Sequence, residues 1–316
     1  MASTSVTELL NQKQKRLDDV PAQLIDSVGR AERQILYAVR LLLESFERNE
    51  EGHILTSSAN IEKINILKSQ LQQILGQTEY LQAIKQFALE FDAHADLNQE
   101  LYAASVDYSE SAIATAMVNN SKKRAIQLLT GGALDSAFYD PVVSTINNAV
   151  STNAGFTETV EALQITITGS PTVDGRLSRY VKQIASDSFA LSDRVYNNQV
   201  SEELNLEFYR YVGGLIEDTR DFCKVRNGKY FHKKEVESWA LGGGSDAGNP
   251  YPNGQWQGQY QGTNSASIFN LCGGYNCKHT LMPVSIAAVP KDVLQRNITS
   301  GNVSLTERQK EVLLAA

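Results

Sequence analysis

Residues 241–264 read LGGGSDAGNPYPNGQWQGQYQGTN. The stretch is poor in aliphatic side chains and rich in Gly, Gln and Asn. It can bury little surface alone, and so reads as a surface arm, a partner-binding loop or a disordered insertion. Nine of the 21 glycines in the chain lie between Gly242 and Gly274. Glycine suits tight turns and close backbone approaches better than helix interiors. Its concentration therefore separates a helix-forming region upstream from a loop-rich module. The fold class that follows is a mainly α-helical N-terminal body with a small α+β, loop-rich C-terminal module. Its expected divisions are a helical domain over residues 1–204, a module over 205–290 with a Gly-rich insertion at 242–262, and a tail over 291–316 with a short helix.

Working upstream, Ile35, Val39, Leu42, Leu43 and Phe46 follow the spacing of one buried helical stripe, and Ile61, Ile64, Leu67, Leu71 and Ile74 repeat it. The polar turn at 49–58 lies between them, with Gly52 as a C-cap and Ser57 or Ser58 near the next helix start. Further helices are expected over Tyr80–Phe91, Leu97–Leu129 and Arg176–Val195. Another is expected over Leu204–Cys223, where the Gly213-Gly214 pair weakens the helix interior and suggests a kink or a close crossing. Core packing is the default role for all these stripes. Downstream, Ser267–Leu271 and Leu281–Val289 look strand-like. Ser304-x-x-Glu307 has capping-box spacing ahead of Val312, Leu313 and Leu314.

The whole chain has 316 residues, enough for about two domains. Its 29 basic and 36 acidic residues leave a net charge of -7. That balance argues against a protein that coats nucleic acid through a basic face. A secretory apolar segment and a run of about 18 apolar residues are both missing from the sequence, so a soluble protein made in a cytoplasm, without membrane contact, is expected. In that setting its three cysteines stay reduced or bind metal, and the odd count agrees.

All three cysteines lie in the last third of the chain, in the pattern Cys272-x4-Cys277-x-His279 with Cys223 upstream. Zinc takes four thiolate and imidazole ligands in a tetrahedral shell. Cys223, Cys272, Cys277 and His279 would make one Cys3His set, with Gly273-Gly274 letting the backbone wrap the ion and His232 as a substitute ligand. Packed, reduced cysteines are the competing expectation, since free Cys is commonly buried as a small hydrophobe. A catalytic alternative pairs Cys223 with His279 or His232, oriented by Asp218 or Asp221. Phosphate-loop, nucleophile-elbow, zinc-protease and dinucleotide signatures do not occur in a convincing context. One basic cluster, Lys224, Arg226, Lys229, Lys233 and Lys234, interleaves with Tyr230 and Phe231 and would be the place for any DNA contact. The simpler account is a solvated hairpin turning at Asn227-Gly228.

Several strings together carry a resemblance. They are Glu217-Asp-Thr-Arg-Asp-Phe-Cys223, Asn227-Gly-Lys-Tyr-Phe231, Glu235-Val-Glu-Ser-Trp239, Trp256-x-Gly258, Gly262-Thr-Asn264, Gly273-Gly-Tyr-Asn-Cys-Lys-His279 and Pro283-Val284. The region from about residue 205 to 290 resembles the C-terminal domain of phage minor head proteins similar to the F protein of phage Mu. Arg176-Leu-x-x-Tyr180 and Tyr209-Arg-Tyr-Val-Gly-Gly214 resemble the helical region that precedes it. Lys278 stands where family members often carry Arg, and the loop at 242–255 is the larger departure.

The resemblance implies a virion structural protein without enzymatic activity, assembled in the host cytoplasm. Its role would lie in head morphogenesis, procapsid assembly, DNA packaging or ejection. Portal, capsid or neck proteins, and further copies of itself, would be its partners. It also implies that Arg220, Cys223, Cys272, Cys277 and His279 belong to the core of the module, with Gly228 at a turn and Trp256 anchoring the loop. A structural zinc at the cysteine and histidine cluster would then be a staple. The alternative from another class is a zinc- or cysteine-dependent enzyme, a nuclease or transferase delivered with the genome.

Overall fold

The computed structural model describes residues 5–241, 256–306 and 308–309. Most of the Gly-rich stretch, at 242–255, lies outside the described residues, as do Glu307 of the capping box and Val312, Leu313 and Leu314. In chain order come α1 (Val6–Glu44), α2 (Ser58–Gln77), α3 (Tyr80–Val106), α4 (Ala112–Thr130), a π-helical turn (Asp135–Tyr139), α5 (Asp140–Ser151) and α6 (Phe156–Ile167). A small hairpin of β1 (Gly169–Ser170) and β2 (Val173–Asp174) leads into α7 (Arg176–Leu204). The C-terminal part follows with β3 (Phe208–Val212), α8 (Asp221–Lys224), β4 (Tyr230–His232), α9 (Lys233–Trp239), α10 (Ile268–Leu271), β5 (Thr280–Val284), a 3-10 turn (Ile286–Ala288) and α11 (Lys291–Thr299). This is the mainly helical body and small α+β module that the glycine distribution and the helical stripes predict. Among the described residues no helix is long and apolar enough to cross a membrane.

The chain forms two compact units, one from residues 1–18, 91–122 and 186–316 and the other from residues 19–90 and 123–185. In the second unit the stripe on α1 buries Ile35, Val39 and Leu43 completely. On α2 the buried face is Asn60, Leu67, Leu71 and Leu75, while Ile61 is exposed. The expected stripe is thus turned around the helix axis because Asn60 faces inward, donating to the carbonyls of Glu47 and Leu55 at 3.0 and 2.8 Å and accepting from Glu47 N at 2.9 Å. Ser57 caps α2 through Asn60 N. Glu32 accepts from the backbone and hydroxyl of Ser178, at 2.8 and 2.7 Å, where α7 begins. A carboxylate there satisfies first-turn donors that no carbonyl can reach.

In the first unit, several expectations fail. Leu97–Leu129 is not one helix, since α3 runs to Val106 and Asp107 takes a left-handed conformation (φ 54°) before α4. Leu204–Cys223 is not a helix. Asn205 takes a left-handed conformation (φ 49°) just after α7, and Phe208–Val212 becomes the central strand of a three-stranded antiparallel sheet ordered β4-β3-β5. Its aromatic and β-branched residues favour a strand, and pairing on both edges, with Phe208 opposite His232 and Val284, completes it. Asn227-Gly228 is not a two-residue type I′ turn, since only Gly228 has positive φ (79°). It closes a longer loop, with Gly228 N donating to Tyr211 O at 2.7 Å and Tyr211 N to Lys229 O at 2.9 Å. Ser267–Leu271 forms the one-turn helix α10 instead of a strand, and Leu281–Val289 is strand only as far as Val284.

The same unit has a charged core. Lys13 on α1 and Asp193 on α7 are 2 % and 1 % exposed, and their charged groups meet at 2.8 Å. Asp193 also takes His94 Nε2 at 2.9 Å and the side-chain amides of Asn98 and Asn197 at 3.1 and 3.2 Å. Asn197 extends the network, accepting from Lys13 and Tyr102 at 2.9 and 2.7 Å and donating to Thr280 of β5 at 2.6 Å. Burial opposes the ionised carboxyl of Asp193, yet the Lys13 charge and His94 together hold it far below the usual carboxylate range. Burial keeps His94 below its ordinary value, and so on the neutral side. A buried charge without its partner is far costlier than the pair. Asp193→Asn, which strands Lys13, is expected to lower the unfolding free energy by about 3–5 kcal/mol. The check is the urea midpoint; a shift near zero would contradict the network.

Candidate metal centre

The centre is built on the loop from Cys272 to His279, which joins α10 to β5. Left-handed conformations at Gly273, Gly274 and Asn276 (φ 75°, 79° and 55°) curl this segment and turn its carbonyls inward. Arg194, 2 % exposed on α7, collects them. Its Nε donates to His279 O at 3.0 Å, Nη1 to Asn270 O at 3.4 Å, and Nη2 to Cys277 O. Arg220 takes the next pair, Gly273 O at 2.9 Å and Tyr275 O at 2.7 Å. Asp187 accepts from Asn276 N at 2.6 Å, and Lys278 reaches Asp18 at 2.9 Å. Five guanidinium donors in a fixed fork suit this work in a way a lysine would not.

The loop so held brings Cys277 and His279 against Cys223 of α8. Cys223 Sγ lies 3.6 Å from Cys277 Sγ, which lies 3.7 Å from His279 Nδ1. Donor atoms of all three lie within 4.8 Å of one another, and all three residues are buried. Tetrahedral zinc with bonds of about 2.3 Å to sulfur and about 2.0–2.1 Å to nitrogen needs donor separations of about 3.8 and 3.6 Å. The group therefore can hold a metal ion, and its donor chemistry fits zinc. His279 turns Nδ1 toward this group, and its buried Nε2 has no hydrogen-bond partner among the described residues. The Cys223 thiol and the His279 ring hold the Cys277 thiol well below its ordinary pKa, while Cys223, as the donor of that pair, is pushed up. One thiolate is thus already favoured at the position a metal needs.

Two close approaches fix the ligands. His279 stacks on Tyr211, with ring centroids 5.4 Å apart and planes 14° apart, and also lies close against Gly213. A Cβ on Gly213 would sit 2.4 Å from His279 Cγ, and one on Gly273 would sit 2.1 Å from Cys277 Sγ. Gly213, read in the sequence as a weak point in a helix, is the space the imidazole occupies.

The other expected site residues lie elsewhere. Cys272 is fully buried, but its sulfur points to His279 O at 3.9 Å and is not among the grouped donors; burial pushes its thiol up to about 12. His232 is the N-cap of α9, accepting from Lys234 N while Glu235 accepts from His232 N, so it is neither a substitute ligand nor a partner for Cys223. In the basic cluster Arg226 is fully buried, its guanidinium 4.1 Å from the Phe222 ring centre and 4.6 Å from that of Trp239. This removes it from any DNA-facing set. Lys224, Lys229 and Lys234 are exposed, and Lys233 lies 3.4 Å from Glu202. Trp256 is buried and stacks on Phe222 at 4.3 Å. Arg194 is the residue the sequence left unmarked.

The three donor residues line a cavity of about 320 Å³, whose wall also includes Asp18, Asp218, Thr219, Arg220 and Lys278. Asp218 is exposed there, and Asp221, the other acid expected to orient a thiolate pair, is exposed on α8. Comparison with protein-family models, curated proteins and solved structures found no match to this chain.

Gly213→Ala is expected to displace His279 and weaken zinc binding about 10- to 100-fold, the range for residues that orient metal ligands. Competition with a chromophoric chelator measures it, and unchanged affinity would mean that His279 is not a ligand.

Proposed function

We propose that the chain is a structural minor virion protein of a tailed phage, acting in head morphogenesis or beside the portal in procapsid assembly, DNA packaging or ejection. Its C-terminal module would be stapled by zinc at Cys223, Cys277 and His279. One observation carries this reading. Residues from separate strings of the resemblance, among them Tyr209, Phe222, Cys223, Phe231, Trp239, Trp256 and Cys277, belong to a single buried core. Such a core stabilises a module, which is what a structural role asks of it. Portal, capsid or neck proteins would be the partners, with self-association as a further mode. Any DNA contact would fall to Lys224, Lys229, Lys233 and Lys234. The decisive test is location: labelled antibody against the chain should mark one vertex of purified particles at low copy. Particles that lack the chain would overturn the role.

The staple has its own test. Because metal binding energy is also folding energy, a chelator that strips zinc should lower the melting temperature and expose the module to protease. Metal loss with an unchanged melting profile would reject the staple while leaving the virion role standing. The cavity beside the three donors favours a second reading, a zinc- or cysteine-dependent enzyme delivered with the genome. That reading requires turnover of a nucleic-acid or group-transfer substrate that His279→Ala abolishes.

A further inference from the structure

A tetrahedral metal needs four donors, and the described residues bring together three. Cys272, the natural fourth, is turned to the carbonyl of His279, and neither Asp18 nor Asp218 joins the group although both line the adjoining cavity. Closed structural zinc sites take all four ligands from protein, whereas sites with three keep a position for an outside ligand. We infer that the metal held by Cys223, Cys277 and His279 keeps its fourth position open to this cavity, where water is exchanged for a neutral monodentate nitrogen donor of the imidazole class. The inference rests on the metal staple proposed above and adds to it the nature of the fourth ligand.

The chemistry of the walls selects the ligand class. Two thiolates and a neutral imidazole leave a dication with no net charge, so the centre itself does not call for an anion. The cations of the wall are engaged: Lys278 pairs with Asp18 at 2.9 Å, and Arg220 is bound to the carbonyls of Gly273 and Tyr275. Asp18 balances Lys278 and Asp218 balances Arg220, so the wall carries no net charge to draw in a carboxylate. Ile216, 72 % exposed, lines the cavity. Its apolar side chain suits a flat, weakly polar ring better than a hydrated ion. Both a free imidazole and the tip of a partner's histidine have this chemistry.

Cobalt(II) loading of the full chain tests the inference, because cobalt reports its ligands in the visible spectrum. The loaded protein is titrated with free imidazole, with a short histidine-containing peptide and with azide. The expected result is a saturable shift of the cobalt bands with imidazole at concentrations at least about tenfold below those azide requires, the equivalent of about 1.4 kcal/mol. A response to the peptide as well identifies a position that a partner's histidine reaches. A response to imidazole alone identifies a small-molecule position. Bands unmoved by saturating imidazole overturn the open position and leave the staple intact, whereas failure to take up cobalt overturns both. Cys272→Ala supplies an independent arm. Its thiolate-to-cobalt band should match that of the unmodified chain, and a loss of about a third would make Cys272 the fourth ligand of a closed site.

Discussion

Two consecutive residues of α7, Asp193 and Arg194, carry opposite charges into the interior, and the C-terminal module depends on both. Asp193 neutralises Lys13 of α1 and takes hydrogen bonds from α3 through His94 and Asn98. Arg194 holds the carbonyls of Asn270, Cys277 and His279. Burying one unpaired charge costs several kcal/mol, so each side chain dictates the position of everything that must satisfy it. An apolar pair in the same place would allow the loop to slide. The guanidinium fork allows only the arrangement in which these carbonyls converge.

That arrangement decides what the three thiols do. They are chemically alike, but carbonyl capture by Arg194 and Arg220 curls the loop so that Cys277 and His279 face Cys223 while Cys272 faces back. Tyr211 completes the selection, stacking on His279 and placing its hydroxyl 3.2 Å from Cys223 Sγ. The grouping follows from backbone hydrogen bonding and aromatic packing around the donors, in line with the general dependence of metal sites on their supporting residues.

Much of the helical body was legible. Ile35, Val39 and Leu43 recur at helical spacing, and Ser57 marks the start of α2, because an amphipathic stripe and a capping hydroxyl act within a few residues of sequence. The failures have different causes. Phe208–Val212 carries aromatic and β-branched residues that favour a strand, a local signal the helical reading passed over. Gly213, by contrast, is glycine because a ring distant in sequence lies on it. Asp193 and Asn197 share the buried face of α7 with Phe189 and Val200. Polar residues at that spacing on an apolar face were the available sign of a buried network, but their partners on α1 and α3 are remote in sequence.

The sequence by itself determined the class of fold, the division between helix-forming and glycine-rich regions, and the supply of soft ligands in the last third of the chain. These depend on composition and short-range periodicity. Only the tertiary structure decided that three of the four expected donors meet, that Cys272 turns away, that Arg226 is buried, and that a cavity adjoins the donors. The meeting of the donors depends on contacts between residues remote in sequence, such as Arg194 with Cys277 and His279, where no local pattern constrains which side chains become neighbours.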